Sequence, residues 1–281
     1  MQENASIIDI IKQQIKKEDA LPVLNPHAAK IQQAATAQQP DFTVLSRLIR
    51  MDPTLTSQVL KTANSPFYRG LDEVETIRDA VIRLGQDEMI NIIMKVLLAQ
   101  KFHSKNPLIQ SYQKNLWTHS VNAAIGSQWL VRYLSMTDMV PRAFIAGLLH
   151  DMGKLYLLTA LEKIMADKTL DFSPPPQLMD KILHNLHPSL GFNLLTRWYL
   201  PEPYRIVARD HHSPAFDTGN LMLAIVRLVN KVCNKMEQNK PPEDISRLAS
   251  TKEADILGAS EICIAELEIA LEDAGTKTPM A

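Results

Sequence analysis

The chain has 281 residues, with 30 Lys and Arg against 31 Asp and Glu and a formal net charge of −1. That length suits one large domain or two modest ones. Because the charges nearly cancel and no dense basic run occurs, the sequence lacks the basic excess that draws a protein to nucleic acid or to an anionic membrane. We therefore expect neither as a partner.

Cysteine usage and hydropathy indicate a compartment. Cys233 and Cys263 are the only cysteines, which is too few for a disulfide framework and typical of reducing surroundings. The first 17 residues are polar and amphipathic, unlike a signal peptide. The most apolar stretches are interrupted by Lys95 and Arg142, so neither reaches the ~20 apolar residues that span a bilayer. The sequence predicts a cytoplasmic protein.

Helical patterns fill the first hundred residues. Asp52-Pro53 is typical of an N-cap followed by proline at the first helical position. Gly85 follows a helical apolar stripe, at the place where a helix should end. Only 9 glycines occur, and alternating apolar runs of the kind that form strands are absent. The sequence predicts an all-α protein.

Later segments also have helical spacing. The triple proline at 174–176 predicts a loop, and Pro188 predicts the start of a new helix. We expect two short amphipathic helices after Pro241, the last of them near 261–273. Before them, helices are expected at 111–134, 139–150, 177–186, 188–199, 203–211 and 221–238.

The histidines suggest how the chain is organised. Six of the eight follow a plausible boundary near 102–107. We expect four parts, although the two main lobes could share one core: an N-terminal helix (1–20), an N-terminal helical lobe (21–106), a lobe carrying a histidine site (107–238) and a C-terminal helical tail (239–281).

One set of polar residues has the chemistry of a metal site. Neutral histidine is a common metal ligand, and aspartate can bridge two ions through its two oxygens. An aspartate at the end of an apolar helix is also costly to bury without a cation or a donor. The candidate metal ligands are His119, His150, Asp151, His187, His211 and His212.

These residues resemble a known signature. Trp117-Thr118-His119-Ser120 followed by His150-Asp151 is similar to the first half of the HD signature of metal-dependent phosphohydrolases. The resemblance implies that Asp151 is the central ligand, with His119 and His150 flanking it. It also implies that His187 and the pair His211-His212 are the extra histidines of the subfamilies with several metals. Lys154 matches a phosphate-contacting lysine, so Asp151 and Lys154 are the candidate catalytic residues.

A more specific resemblance covers residues 21–235. It is to the HDOD proteins, which are bacterial signalling modules related to the HD enzymes. It implies an HD-like multi-helix bundle with an N-terminal helical lobe. The segments that carry it are Leu21–Leu24, Ile49–Thr56, Ala63–Ser65, Ala80–Gly85 and Trp198–Pro201.

Three departures from the HD pattern bear on chemistry. Asn115 and Asn230 stand where a Glu and a closing Asp are expected, which places both at the edge of the site without a charge. The Gly-Tyr-Pro motif of cyclic-dinucleotide phosphodiesterases is missing after His212. The remaining ligands favour one divalent ion (iron, manganese, nickel or zinc) or none, because a single carboxylate offsets little positive charge.

Simpler interpretations exist for each residue alone. A lone histidine is more often a core or surface residue than a ligand, and His184 competes with His187 on the same helix. His150-Asp151 could be a buried hydrogen-bonded pair, and Lys154 a first-turn surface lysine.

Two functional hypotheses follow. The first is an HDOD-type regulatory module with little or no catalysis, a protein partner in a signalling pathway and a degenerate metal site. That site would be either a relic or a ligand sensor, for which a phosphate-bearing molecule is the candidate ligand. The alternative is a metal-dependent phosphohydrolase that cleaves phosphomonoesters, phosphodiesters or nucleotides with a metal-activated water.

Overall fold

The protein is helical throughout the part of the chain that the structure describes. The structure is a computed structural model that describes residues 11, 26–68, 70, 72–166, 174–237 and 244–275. These residues contain α-helices, one short 3₁₀ helix at Thr137–Met139 and no strand, which confirms the predicted all-α class. Apart from Ile11, the expected N-terminal helix and the Leu21–Leu24 segment lie outside the described residues.

The helices within the predicted N-terminal lobe are α1 (Pro26–Thr36), α2 (Phe42–Arg50), α3 (Pro53–Ala63), α4 (Ile77–Leu84) and α5 (Gln86–Ala99). Those that follow are α6 (Pro107–Tyr133), α7 (Val140–Leu149), α8 (Met152–Ala166), α9 (Pro176–Arg197), α10 (Glu202–Asp210) and α11 (Leu221–Glu237). The tail contains α12 (Asp244–Ala249), α13 (Lys252–Leu257) and α14 (Glu261–Gly275).

Local capping accounts for the helix limits in the N-terminal lobe. The Asp52 carboxylate accepts a hydrogen bond from the Leu55 backbone N–H (3.0 Å), and Pro53 is the first residue of α3, as predicted. Gly85 ends α4 with φ +78°, a left-handed value that favours glycine, and its N–H bonds to the Val81 carbonyl. Helix α5 packs against α7, so the two lobes share one apolar core.

Helix α6 packs against α7, α11 and α14, and α8 packs against α9. Gly153 allows the contact between α8 and α9. A Cβ at this position would lie 1.9 Å from the His187 carbonyl oxygen and 2.7 Å from the Gly191 nitrogen. The absence of a side chain therefore lets the start of α8, just after Asp151, approach His187 on α9.

The prediction that Pro188 starts a new helix was wrong. Helix α9 runs from Pro176 to Arg197 with Pro188 inside it. Proline has no N–H to offer the His184 carbonyl, so that acceptor is left free by the helix. His187 Nδ1 lies 3.0 Å from it and 2.8 Å from the Leu183 carbonyl oxygen, and it donates to both. The proline is therefore tolerated, because a neighbouring side chain satisfies the carbonyl that it leaves unpaired.

The most apolar helical stretch, 137–166, is long and apolar enough by composition to cross a membrane. In the fold, 89% of its apolar window is buried against other helices. The stretch is therefore packed as part of the apolar core.

Replacing Gly153 with Ala should lower the free energy of unfolding by roughly 1–3 kcal/mol, because the new methyl group would meet backbone atoms that cannot rotate away. Urea denaturation measures this change. The control is Gly219→Ala, an exposed site where the nearest atom is a side-chain oxygen of Asp217 at 3.3 Å. Equal effects of the two substitutions would contradict the packing argument.

Candidate metal centre

Four of the predicted ligands surround Asp151. His119 is in the middle of α6, His150 and Asp151 form the junction between α7 and α8, His187 is in α9, and His211 follows the last residue of α10. All five are buried, and Asp151 is 0% exposed. The structure thus brings together residues from five helices, and their role as metal ligands stays a prediction.

The first group of atoms, here called the Oδ2 cluster, consists of Asp151 Oδ2 and the groups that face it. His150 Nε2 lies 3.4 Å and His119 Nε2 lies 3.6 Å from this oxygen, and the two nitrogens are 3.3 Å apart. The Lys154 ammonium is much closer, at 2.6 Å. Within this cluster the charge of Asp151 is therefore offset by a lysine of the chain itself.

The second group, here called the Oδ1 cluster, consists of Asp151 Oδ1, His187 Nε2 and His211 Nε2. The oxygen lies 3.2 Å from the first nitrogen and 3.3 Å from the second, and the nitrogens are 3.2 Å apart. An ion ~2.1 Å from each ligand separates neighbouring ligand atoms by ~3.0 Å in an octahedron and ~3.4 Å in a tetrahedron. The observed triangle falls between these values, so its size suits a first-row transition metal.

The other nitrogen of each ring is already engaged. His119 Nδ1 lies 2.7 Å from Glu237 Oε1, and His150 Nδ1 lies 2.7 Å from the Gly147 carbonyl oxygen. His187 Nδ1 donates to α9 carbonyls as described above, and His211 Nδ1 donates to the Ala208 carbonyl (3.0 Å). Since each partner is an acceptor, the ring proton is assigned to Nδ1. Each Nε2 then directs a lone pair at Asp151.

Asp151 Oδ1 is the unusual atom of this arrangement. It is buried and has no hydrogen-bond partner among the described residues. It faces the lone pairs of His187 and His211, and a buried anionic oxygen without a donor is costly. A cation at the centre of the Oδ1 cluster would satisfy all three atoms, so the residues fit a metal ion.

The ionisation states agree with this arrangement. Burial raises the pKa of Asp151, but the Lys154 ammonium beside it lowers it, and the net result is a pKa well below the usual range. Burial lowers the pKa of His150 well below its usual value and lowers that of His187 to about 3. At neutral pH the Asp151 carboxylate is therefore ionised, and the His150 and His187 imidazoles are neutral.

His212 and His184 lie on the outer side of the Oδ1 cluster, and both are exposed. The His212 ring centroid is 4.2 Å from that of His211. One ring nitrogen of His212 lies with the ligand atoms of His187, His211 and Asp151, all within 4.8 Å of one another. Of the two histidines that competed on α9, the buried His187 faces Asp151 and His184 lies at the rim.

The mouth of the site is a cavity of about 450 Å³ next to the Oδ2 cluster. Asn115 lines it, as does Lys154, whose side chain is 27% exposed. Asn230 is buried and accepts a hydrogen bond from Asn234 (3.1 Å). Asn234 and Glu237, both on α11, line the cavity.

Sequence reasoning did not identify Glu237, Tyr112 or Asp180, which also line the cavity. The Glu237 carboxylate anchors His119, and the Tyr112 hydroxyl donates to Asp180 Oδ1 at 3.1 Å. Asn230, Asn234 and Glu237 follow one another at helical spacing of four and three residues, so they share a face of α11. Extending the search along that face from Asn230 would have found Glu237.

Comparison with known proteins decides the family. The model of the HDOD domain matches residues 21–214. The chain belongs to the HDOD family. An uncharacterized protein of Treponema pallidum (strain Nichols) is 25% identical to this HDOD chain over 239 residues. The match covers 82% of this chain and 45% of that relative, so the chain spans less than half of the relative's length.

Solved structures share the HDOD fold. An HDOD domain protein of Geobacter sulfurreducens matches with a TM-score of 0.72 and 22% identity over 96% of each chain. A candidate metal-dependent phosphohydrolase of Shewanella amazonensis SB2B matches with a TM-score of 0.64 and 16% identity over 94% of this chain and 98% of its own. A candidate signal transduction protein of Marinobacter aquaeolei VT8 has the same TM-score and 19% identity, over 97% of this chain and 66% of its own.

The buried histidines predict an acid-sensitive fold. The unfolded chain protonates His187 near its ordinary pKa of 6.5, whereas in the folded chain burial lowers that pKa to about 3. As pH falls between these values the unfolded state binds more protons, so the metal-free protein should lose ~1.4 kcal/mol of stability per pH unit for each such histidine. Above pH 6.5 this contribution is constant.

His187→Gln should therefore reduce the slope of stability against pH, between pH 6 and 4, by about one proton. Urea denaturation in a chelating buffer measures the slope. The control is His103→Gln, which changes an exposed histidine outside the cluster. An unchanged slope in His187→Gln would show that His187 is not held neutral by the fold.

Proposed function

We propose that this HDOD chain is a regulatory module in which the Oδ1 cluster holds one divalent metal ion and in which hydrolysis is slight or absent. The observation that carries the proposal is Asp151 Oδ1, a buried carboxylate oxygen without a donor among the described residues. The Nε2 atoms of His187 and His211, at 3.2 and 3.3 Å, complete a ligand triangle around one position.

The Lys154 ammonium supports one ion rather than two. It lies 2.6 Å from Asp151 Oδ2, where a second ion would have to bind. A second dication would be repelled by the first and by Lys154, and Asp151 carries only one negative charge. Glu237 accepts a hydrogen bond from His119 Nδ1 and so places a second negative charge near the Oδ2 cluster. Because its side chain is 43% exposed, water screens that charge, and it offsets little of the repulsion.

The ligand atoms of the Oδ1 cluster limit which metal ions are expected to bind. Two imidazoles and one carboxylate oxygen suit zinc, iron, manganese or nickel better than calcium or magnesium, which prefer oxygen ligands. When bound, such an ion supplies a Lewis acid at the floor of the pocket. The chain's own Lys154 adds a partly exposed ammonium beside the cavity, so a phosphate-bearing ligand has a cationic group to bind.

The signalling role is supported by the family. The structures that share the fold include one named as a candidate signal transduction protein and one named as a candidate metal-dependent phosphohydrolase. In our proposal the helical surfaces bind a protein partner, and the metal pocket stabilises or senses rather than hydrolyses.

One observation favours the alternative of a metal-dependent phosphohydrolase. The Oδ2 cluster is itself a triangle of His119, His150 and Asp151 with sides of 3.3, 3.4 and 3.6 Å. The Lys154 side chain is 27% exposed, so rotation toward solvent would free Asp151 Oδ2. Asp151 would then have one oxygen in each of two ligand triangles, which is the arrangement that a bridged pair of ions requires.

Metal stoichiometry tests the role of Lys154. We expect about one ion per wild-type chain by inductively coupled plasma mass spectrometry after loading with manganese. Lys154→Met should raise the value toward two, because it removes the cation that competes at Asp151 Oδ2. Lys181→Met, an exposed lysine on α9, is the control and should remain at one. Equal stoichiometry in both variants would contradict the competition.

A panel of phosphomonoesters, phosphodiesters and nucleotides separates the two functions. We expect little or no turnover with added manganese, iron or nickel, and no difference from Asp151→Ala. Metal-dependent turnover that disappears in Asp151→Ala would make the phosphohydrolase the better account.

A further inference from the structure

The turn that carries His211 and His212 is held from outside the site by one arginine. Arg227 on α11 donates from Nη1 to the carbonyl oxygens of Asp210 (2.9 Å) and Ser213 (2.8 Å). These two carbonyls flank the histidine pair. The guanidinium also lies over the Phe216 ring, 4.1 Å from its centroid. One side chain therefore spans both ends of the turn that presents His211 to Asp151.

Arg227 depends in turn on the C-terminal tail. It is 8% exposed, and a buried guanidinium needs an anionic partner. Glu253 on α13, 1% exposed, provides it by accepting from Arg227 Nε at 2.7 Å. The other oxygen of Glu253 accepts from Lys231, also on α11. The Glu253 carboxylate thus binds two residues of α11, and its contact with Arg227 fixes the orientation of the guanidinium group.

Glu253 lies beyond the residues that match the HDOD model, which end at 214. We propose that Glu253 and Arg227 are positioning residues for the metal centre, and that docking of α13 onto α11 sets how firmly the His211–His212 turn holds an ion. This inference rests on the proposed metal function. In this proposal Glu253, in the C-terminal tail, supports the metal site through Arg227 without contacting the ligand triangle.

The coupling works in both directions. If docking of the tail raises metal affinity, then metal binding must stabilise the docked tail by the same free energy. Amides of 252–257 should accordingly exchange with deuterium more slowly when metal is bound. A partner that displaced α13 would loosen the turn and weaken metal binding.

The chain offers a matched control. Lys235 on α11 and Glu268 on α14 also form an ion pair between α11 and the tail, with distances of 2.7 and 2.8 Å, in which the lysine is buried and the glutamate is partly buried. Neither residue is bonded to the turn at 210–213 among the described contacts. Glu268→Gln therefore removes a comparable charge pair without touching the support of the histidines.

The experiment titrates the metal-free full chain with Co²⁺ and follows its visible absorption, which reports both affinity and coordination geometry. Glu253→Gln and Arg227→Lys should each weaken Co²⁺ binding by about tenfold or more, as outer-shell changes commonly do, and should alter the spectrum. Lysine keeps the positive charge of Arg227 but lacks the planar guanidinium group that donates several hydrogen bonds at once. Glu268→Gln should bind within about twofold of wild type with an unchanged spectrum, although its melting temperature falls comparably.

Hydrogen exchange of the 211–213 amides in the metal-free proteins gives a second measurement. Exchange should be faster in Glu253→Gln and Arg227→Lys than in Glu268→Gln. If wild-type protein binds no Co²⁺, the proposed metal function fails, and the exchange data alone then decide whether Glu253 and Arg227 position the turn. Equal Co²⁺ affinity and equal exchange in all variants would overturn the inference, as would an equal loss in all three.

Discussion

The buried carboxylate of Asp151 is the constraint on which the arrangement of this molecule depends. An ionised group with no exposed surface is stable only if positive charge or donors surround it. Lys154 meets that need at Oδ2, and the chain offers Oδ1 only imidazole lone pairs among the described residues. Five helices supply the residues around this one side chain, so the fold and the proposed metal site share a centre.

Several local features orient the groups around that centre. Gly153 lets α8 approach α9, and Pro188 leaves the His184 carbonyl free to accept from the His187 ring. Both act on the same histidine, one by distance and the other by orientation. The His211 ring is fixed by carbonyls of its own helix, and the turn that follows it is fixed by Arg227. A proline within a helix or a close contact between helices therefore has a direct consequence for the direction of a ligand atom.

Much of the helical framework could be predicted, because caps such as Asp52 and stops such as Gly85 act within a few residues. Pro188 was wrongly taken as a helix start because the donor that makes it tolerable inside α9, the His187 ring N–H, depends on a side-chain rotamer. The candidate ligands came from their side-chain chemistry together with a family resemblance, whereas Glu237 was missed although it shares a helical face with Asn230. The contact between Arg227 and Glu253 joins positions 26 residues apart in sequence, and no local sequence pattern predicts such a pair.

The central claim is that the Oδ1 cluster is a site for one divalent ion. Anomalous diffraction from crystals of manganese-loaded protein, collected at a wavelength where manganese scatters anomalously, tests it most directly. The account predicts one strong peak within bonding distance of Asp151 Oδ1, His187 Nε2 and His211 Nε2, with Lys154 still paired to Oδ2. The absence of a peak there, or two peaks bridged by Asp151 with Lys154 displaced, would contradict it.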